Sequence, residues 1–213
     1  HYPLRRQRQM CIRDSNMKCR VMRISFTGEL SYEINIQANY GKAVWKKCMS
    51  AGKEFNITPY GTETMHLLRA EKGFVIVGQE TDGTITPVDL QMDWIISKKK
   101  YDFIGKRSLY RSDTMKEGRK QMVGLLTKDP NEVLEEGAQI VAEVKKKPPM
   151  DMLGHVTSSY YSPNLKKSIA LAVIKNGKNL NGKKLFVPMK NKIIKVTVSD
   201  SVFIDKEGKR LNA

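Results

Sequence analysis

Ile193-Ile194-Lys195-Val196-Thr197-Val198 decides the reading of the C-terminal half. Ile194, Val196 and Val198 alternate with Lys195 and Thr197. A period of two is the mark of a half-buried strand, because successive side chains leave opposite faces of an extended backbone. Working backwards from this stretch, residues 185–188, 169–174, 155–158, 139–144 and 121–126 are further short β-rich runs, and 202–204 is one more downstream. Gly, Pro and Asn punctuate them. Several short strands at such spacing predict a small β-barrel or sandwich.

The first half has a different texture. Residues 21–26 and 32–36 are β-rich, and Thr27-Gly28-Glu29 between them is a turn signal, so the pair predicts a hairpin. Residues 40–55 read as a helix, with Val44, Trp45, Cys48, Met49 and Gly52 on one face and Lys42, Lys46, Lys47 and Lys53 opposite. Pro59-Tyr60-Gly61-Thr62 is a break. Thr62 caps a second helix to about Glu71, and Gly73 ends it in a left-handed turn. Residues 78–87 form a polar loop, 88–92 a helical turn and 105–111 a short helix. The polar stretch 112–119 reads as a linker. The expected fold class is therefore α+β, with a mixed segment at 16–111 and an all-β barrel domain at 119–213. Residues 1–15 are rich in Arg and Gln and lack an apolar period. They resemble translated adapter read-through and are set aside as a non-native tail.

Composition narrows the function classes. The 213 residues are 40% apolar, which suits a globular chain with a real core. The longest apolar runs, 74–77 and 169–174, are too short to span a bilayer. A cytoplasmic protein with no membrane partner is expected. Cys11, Cys19 and Cys48 form no C-x-x-C pair, and His1, His66 and His155 are isolated, so no metal site is expected. The net charge of +16 invites a nucleic-acid reading. The lysines are scattered and few aromatics lie among them, so no nucleic-acid partner is expected and an acidic ligand or partner is the alternative. No dinucleotide, phosphate-loop or nucleophile-elbow motif occurs.

One segment carries more. RISFTGELSYEI at 23–34 is similar to the R-x-S-x-T-G-E-x-G-[YF]-E segment of the folate-binding aminomethyltransferase superfamily, with Ser31 where many members have Gly. YGTETMHLLRAEKG at 60–73, GQETDGTITPVD at 78–89, DWIISK at 93–98, DFIGKR at 102–107 and GHVTSSYYSP at 154–163 resemble the sarcosine oxidase alpha branch of that superfamily more closely than the glycine-cleavage T-protein. The resemblance runs from about Arg20 to the C-terminus. It implies the C-terminal portion of a folate-binding domain followed by a capping barrel, as a fragment of a larger enzyme. Sarcosine is oxidatively demethylated to glycine there, and tetrahydrofolate takes the one-carbon unit as 5,10-methylenetetrahydrofolate. Flavins and NAD are expected only in other parts of the assembly. The remaining sarcosine oxidase subunits, above all the flavin-bearing beta subunit, are the implied partners. A stand-alone aminomethyltransferase, a dimethylglycine dehydrogenase-like domain and a non-catalytic basic or scaffold module are the competing readings.

Four residues are candidates for contact with the folate, and no catalytic residue is assigned. Glu33 matches the second Glu of the family segment. A carboxylate accepts only, so it suits the paired donors of a pterin edge; the alternative is a strand-end carboxylate facing water. Arg69 fits a folate carboxylate or pterin carbonyl, and fits equally a structural clasp with Glu71, Glu63 or Asp89. Trp94 can stack on a flat ring or pack in a core. Tyr60 is a weaker candidate of the same kind. Tyr32, next to Glu33 and on the opposite strand face, is expected in the core.

Overall fold

The computed structural model describes residues 9–14 and 17–212. Residues 1–8 and 15 of the segment set aside above lie outside the described residues. Two compact units emerge, one reaching to His66 and resuming at Glu207, the other Leu67–Lys206.

In the first unit, β1 (Gln9–Asp14), β2 (Met17–Met22) and β3 (Glu33–Ile36) make a three-stranded antiparallel sheet in that order. The expected hairpin is present as β2 and β3, paired from Cys19↔Ile36 to Met22↔Glu33. Its connection is longer than the turn signal suggested: β2 stops at Met22, β3 starts at Glu33, and residues 26–30 between them run as bends. Gly28 turns at φ 84°, and Ser25 Oγ accepts its N–H at 2.9 Å. Arg210 closes this loop from the C-terminal end, accepting the Leu30 N–H on its carbonyl at 3.0 Å and pairing with Glu29 at 3.0 Å. Helix α1 (Gly41–Ala51) is flanked by single 3-10 turns at Ala38–Tyr40 and Gly52–Phe55, together covering the expected 40–55 helix. It buries none of its residues, and Trp45 on its apolar face is 58% exposed.

Helix α2 (Thr62–Glu71) runs from the first unit into the second. Gly73 ends it at φ 71°, with Phe74 N–H reaching back to Arg69 O at 2.9 Å. A Cβ there would stand 2.6 Å from the Ser201 carbonyl oxygen, so both conformation and space demand glycine.

The rest of the second unit is built on a closed antiparallel barrel of six strands. They are β4 (Lys120–Thr127), β5 (Gln139–Val141), β6 (Met152–Ser162), β7 (Lys167–Lys175), β8 (Lys184–Met189) and β9 (Lys192–Ser199), in the order β4-β7-β6-β5-β8-β9. Alternate residues fill the interior: Val123 and Leu125, Ala170, Ala172 and Ile174, Leu185 and Val187, Ile194, Val196 and Val198. Strand β7 is buried on both faces. Its outward Ile169 and Leu171 pack on Ala70 of α2, and Val173 packs with Leu90 and Met122. That is why 169–174 is a continuous apolar run while 193–198 alternates. The segment expected to be a seventh strand, 202–204, is not one. Phe203 and Ile204 both donate their N–H groups to the Glu71 carbonyl at 2.9 Å, which caps the end of α2 instead of extending the barrel.

Candidate functional site

Glu33 opens β3, opposite Met22. Its side chain is exposed and accepts one hydrogen bond, from Asn35 Nδ2 at 2.8 Å. Asn35 lies two residues on and so shares its strand face. No cation pairs with Glu33 among the described residues. The carboxylate thus keeps free lone pairs and an uncompensated charge, the state in which a neutral donor pair binds it best. Tyr32 is not in a core; it is 61% exposed, since it precedes the strand and is not held in its pleat. Tyr60 stands on the segment leading into α2 and is 59% exposed. Within this unit no hydrogen bond joins Tyr60 to Glu33 among the described residues.

Arg69 is the opposite case. It is fully buried near the end of α2. Nη1 pairs with Glu80 at 2.8 Å and donates to Phe74 O at 3.1 Å. Nη2 donates to Ser158 Oγ at 2.6 Å and to Gln79 Oε1 at 3.4 Å. Ser158 Oγ in turn donates to Glu80. Ser158 follows a register shift in β6, between Val156 and Ser158, and the bulge re-aims the side chain toward the helix. Gln79 Nε2 extends the cluster by donating to Thr157 O and to Glu136 Oε1, both at 3.0 Å. Of the two roles open to Arg69, the geometry builds the clasp. Its partner is Glu80 and not Glu71, Glu63 or Asp89. Nε alone has no partner among the described residues. The clasp ties α2 and the loop after it to the barrel wall.

Asp89 is engaged elsewhere. It accepts Arg119 Nε at 2.9 Å and Nη2 at 2.6 Å, and the Thr86 N–H and hydroxyl at 2.8 Å each. Burial pushes its carboxyl upward, but the bonds from Arg119 and Thr86 outweigh this and hold it below the usual aspartate range. The same contact raises Arg119 above the ordinary arginine value. Arg119 Nη1 also donates to Asp113 O at 3.0 Å, so the polar stretch 112–119 is pinned at both ends. It includes one helical turn, α3 (Ser112–Met115).

Trp94 projects from the single 3-10 turn Asp93–Ile95 that follows this lock, and is 76% exposed. The turn leaves the faces of the ring open. No hydrogen bond or ion pair connects Trp94 to the Arg69 cluster among the described residues. His155, on β6, is half-buried; burial, then the nearby Lys120 charge, depress its imidazole below the ordinary value. Glu80, Ser158 and Gln79, which complete the Arg69 clasp, were not legible in sequence. The one available signal was that a buried arginine demands a buried acid. Among the described residues, no group of acidic, His or Cys side chains could hold a metal ion, and no helix is long and apolar enough to cross a membrane.

Comparison with known proteins bears on this arrangement. The GCVT N-terminal domain matches residues 4–100, and the glycine cleavage T-protein C-terminal barrel domain matches residues 120–205. Sarcosine oxidase subunit alpha of Corynebacterium sp. (strain P-1) is 52% identical over 199 residues, covering 92% of this chain and 20% of that protein. The subunit of the same name from Rhizobium meliloti (strain 1021) is 38% identical over 194 residues, 90% of this chain and 20% of its own. An aminomethyltransferase of Thermoanaerobacter pseudethanolicus is 29% identical over 199 residues, 93% of this chain and 52% of that protein. The crystal structure of glycine cleavage system aminomethyltransferase T from Bartonella henselae superposes with a TM-score of 0.74 at 21% identity, covering 88% of this chain and 50% of that one, and shows the shared fold. The chain therefore spans about a fifth of the length of the sarcosine oxidase alpha subunits and about half that of the aminomethyltransferases.

Proposed function

The chain belongs to the glycine cleavage T-protein family, and we propose that it forms part of the alpha subunit of a sarcosine oxidase and contributes to a tetrahydrofolate site there. The 52% identity along 92% of the chain favours that branch over the aminomethyltransferases, which reach 29% over a similar length. In this reading residues 16–111 are a portion of the folate-binding domain and 119–213 the barrel domain, and the protein works in the cytoplasm. The remaining subunits of the assembly, including one bearing flavin, are its partners.

The observation that carries the reading is Glu33. Its exposed carboxylate is held by one neutral amide and paired with no cation among the described residues, so it fits the side-by-side N–H donors of a pterin. Trp94 and Tyr60 offer exposed aromatic faces suited to flat rings. Arg69, saturated by Glu80, Ser158, Phe74 and Gln79, acts as a positioning residue and not as a direct contact. The chemistry that bound tetrahydrofolate supplies is acceptance of the one-carbon unit from the oxidative demethylation of sarcosine. The oxidation itself belongs to cofactors held elsewhere in the assembly. What this chain's residues do is bind and orient.

The test is a calorimetric titration of tetrahydrofolate into the intact alpha subunit and its Glu33→Gln variant. Charge-assisted hydrogen bonds contribute roughly 1.5–3 kcal/mol each, so loss of one weakens binding about ten- to a hundredfold. Equal affinities would remove Glu33 from the site. Aminomethyl transfer without any oxidation of sarcosine in the assembled protein would favour the aminomethyltransferase reading.

A further inference from the structure

Arg23 and Glu29, two charged residues of the segment 23–34, have no part in the site above. Both find partners in one place, the stretch Arg210-Leu211-Asn212. Arg23 Nη2 donates to Leu211 O at 2.6 Å and to Asn212 Oδ1 at 3.1 Å. Glu29 pairs with Arg210 Nη1 at 3.0 Å, and beside it the Leu30 N–H donates to Arg210 O at 3.0 Å. The stretch is itself shaped. Gly208 turns at φ 70°, and a single 3-10 turn follows over Lys209–Asn212, with the Leu211 N–H on Gly208 O at 3.2 Å. Residues 207–212 and the segment 23–34 belong to the same compact unit, although 181 positions separate Glu29 from Arg210 in the chain.

The need for such a brace follows from where the β2–β3 ladder ends. Met22↔Glu33 is its last pair, and residues 23–32 lie outside it. The side-chain bonds this loop makes to itself are short-range: the Gly28 N–H to Ser25 Oγ, and Ser31 Oγ to the Glu29 carbonyl at 3.1 Å. Glu33 therefore stands at the end of the ladder that opens into a loop, where pairs fray first. Arg23 adjoins Met22, the partner of Glu33, and Glu29 and Leu30 lead into Glu33 itself. Bonds from both arms of the loop to one short stretch hold the arms together where the ladder has stopped. Two of these bonds end on main-chain carbonyls, so they depend on where the stretch lies and not on its side chains alone.

We propose that residues 207–212 are a strap that positions the Glu33 carboxylate, with Arg23 and Glu29 as the residues it grips. The inference rests on the reading of Glu33 as the pterin acceptor. It gives Arg23 and Glu29 a role that runs through Glu33 and not through the ligand. Glu29 has its charge balanced by Arg210, and so is the poorer acceptor for a neutral donor pair.

The experiment has two arms, both in the intact alpha subunit. In the first, backbone hydrogen exchange is followed by mass spectrometry. Arg23→Gln with Arg210→Ala should speed exchange over residues 22–36 about tenfold and leave β6 and β7 unchanged. Exchange equal to the parent's at 22–36 overturns the strap. The second arm is a double-mutant cycle on tetrahydrofolate affinity. The same double variant should weaken binding about fivefold, but less than about twofold once Glu33→Gln is also present, because a residue acting through Glu33 then has nothing left to act on. Equal losses in the two backgrounds overturn the positioning role and mark a general loosening. Glu29→Arg should weaken binding too, and adding Arg210→Glu should recover most of the loss; no recovery overturns the pairing as the grip. A parent that does not bind tetrahydrofolate, or binds it indifferently to Glu33→Gln, sinks the folate reading. The exchange arm then decides the strap by itself: faster exchange at 22–36 keeps it, and parent-like exchange removes it.

Discussion

The barrel and the α1 region are built on opposite terms. In the barrel all six strands contribute to one interior, and β7 buries both of its faces. Helix α1 has the amphipathic pattern of a packed helix yet buries no residue, and its neighbours Phe55 and Ile57 are exposed as well. The contrast teaches that amphipathic sequence reports what a face is suited to cover and not whether it is covered. A closed sheet satisfies its own edges, whereas a lone helix gains most of its stability from what it packs on.

The largest effect expected from this contrast lies at the junction of α2 and the barrel wall. Arg69→Ala leaves the Glu80 carboxylate buried without a charge partner and should cost about 3–5 kcal/mol in urea unfolding. The double variant Arg69→Met, Glu80→Leu should recover most of that loss, since the penalty is an unpaired charge and not a missing contact. A single variant as stable as the parent would break the claim that this clasp holds the second unit. Leu125→Ala, inside the barrel, should cost about 3 kcal/mol by the same measurement, within the range for a buried leucine.

A smaller, pH-dependent effect follows from two depressed groups. Asp89 titrates below its unfolded value in the fold, so its contribution is complete above about pH 4 and is lost as pH falls through the folded value. His155 is also depressed. It favours the neutral form in the fold, so its contribution is complete above about pH 6.5 and fades below that. Stability of the second unit should decline in two stages on acidification. His155→Gln should flatten the first stage and Asp89→Asn the second; a profile unchanged by either variant would contradict the assignment. The smallest effect belongs to α1. Trp45→Ser should change the unfolding free energy of the first unit by less than about 0.5 kcal/mol, and a larger change would mean that the half-exposed ring packs more tightly than its exposure implies.

Much of this was readable in advance, for identifiable reasons. The barrel strands showed as short β-rich runs between Gly, Pro and Asn, one of them with a period of two, and α2 showed because Gly73 marks its end. The site was less legible. Arg69 had three acidic candidates nearby in sequence and chose none of them: Asp89 was taken by Arg119, and Glu80 was delivered by the loop after α2. The exposure of the Trp94 ring was not written in its sequence neighbours. The segment 202–204 looked like a strand because apolar residues alone do not say whether their backbone bonds go to a ladder or to a helix end.

By itself, the sequence determined the fold class, the number of barrel strands to within one and the family, because local periodicity and short motifs are properties of neighbouring residues. Only the tertiary structure decided the barrel's order β4-β7-β6-β5-β8-β9, the pairing of Arg69 with Glu80 and Ser158, and the exposure of Glu33 and Trp94. Those are settled by which distant groups compete for the same partner and by which surfaces are excluded from water, and neither is written in any one stretch of chain.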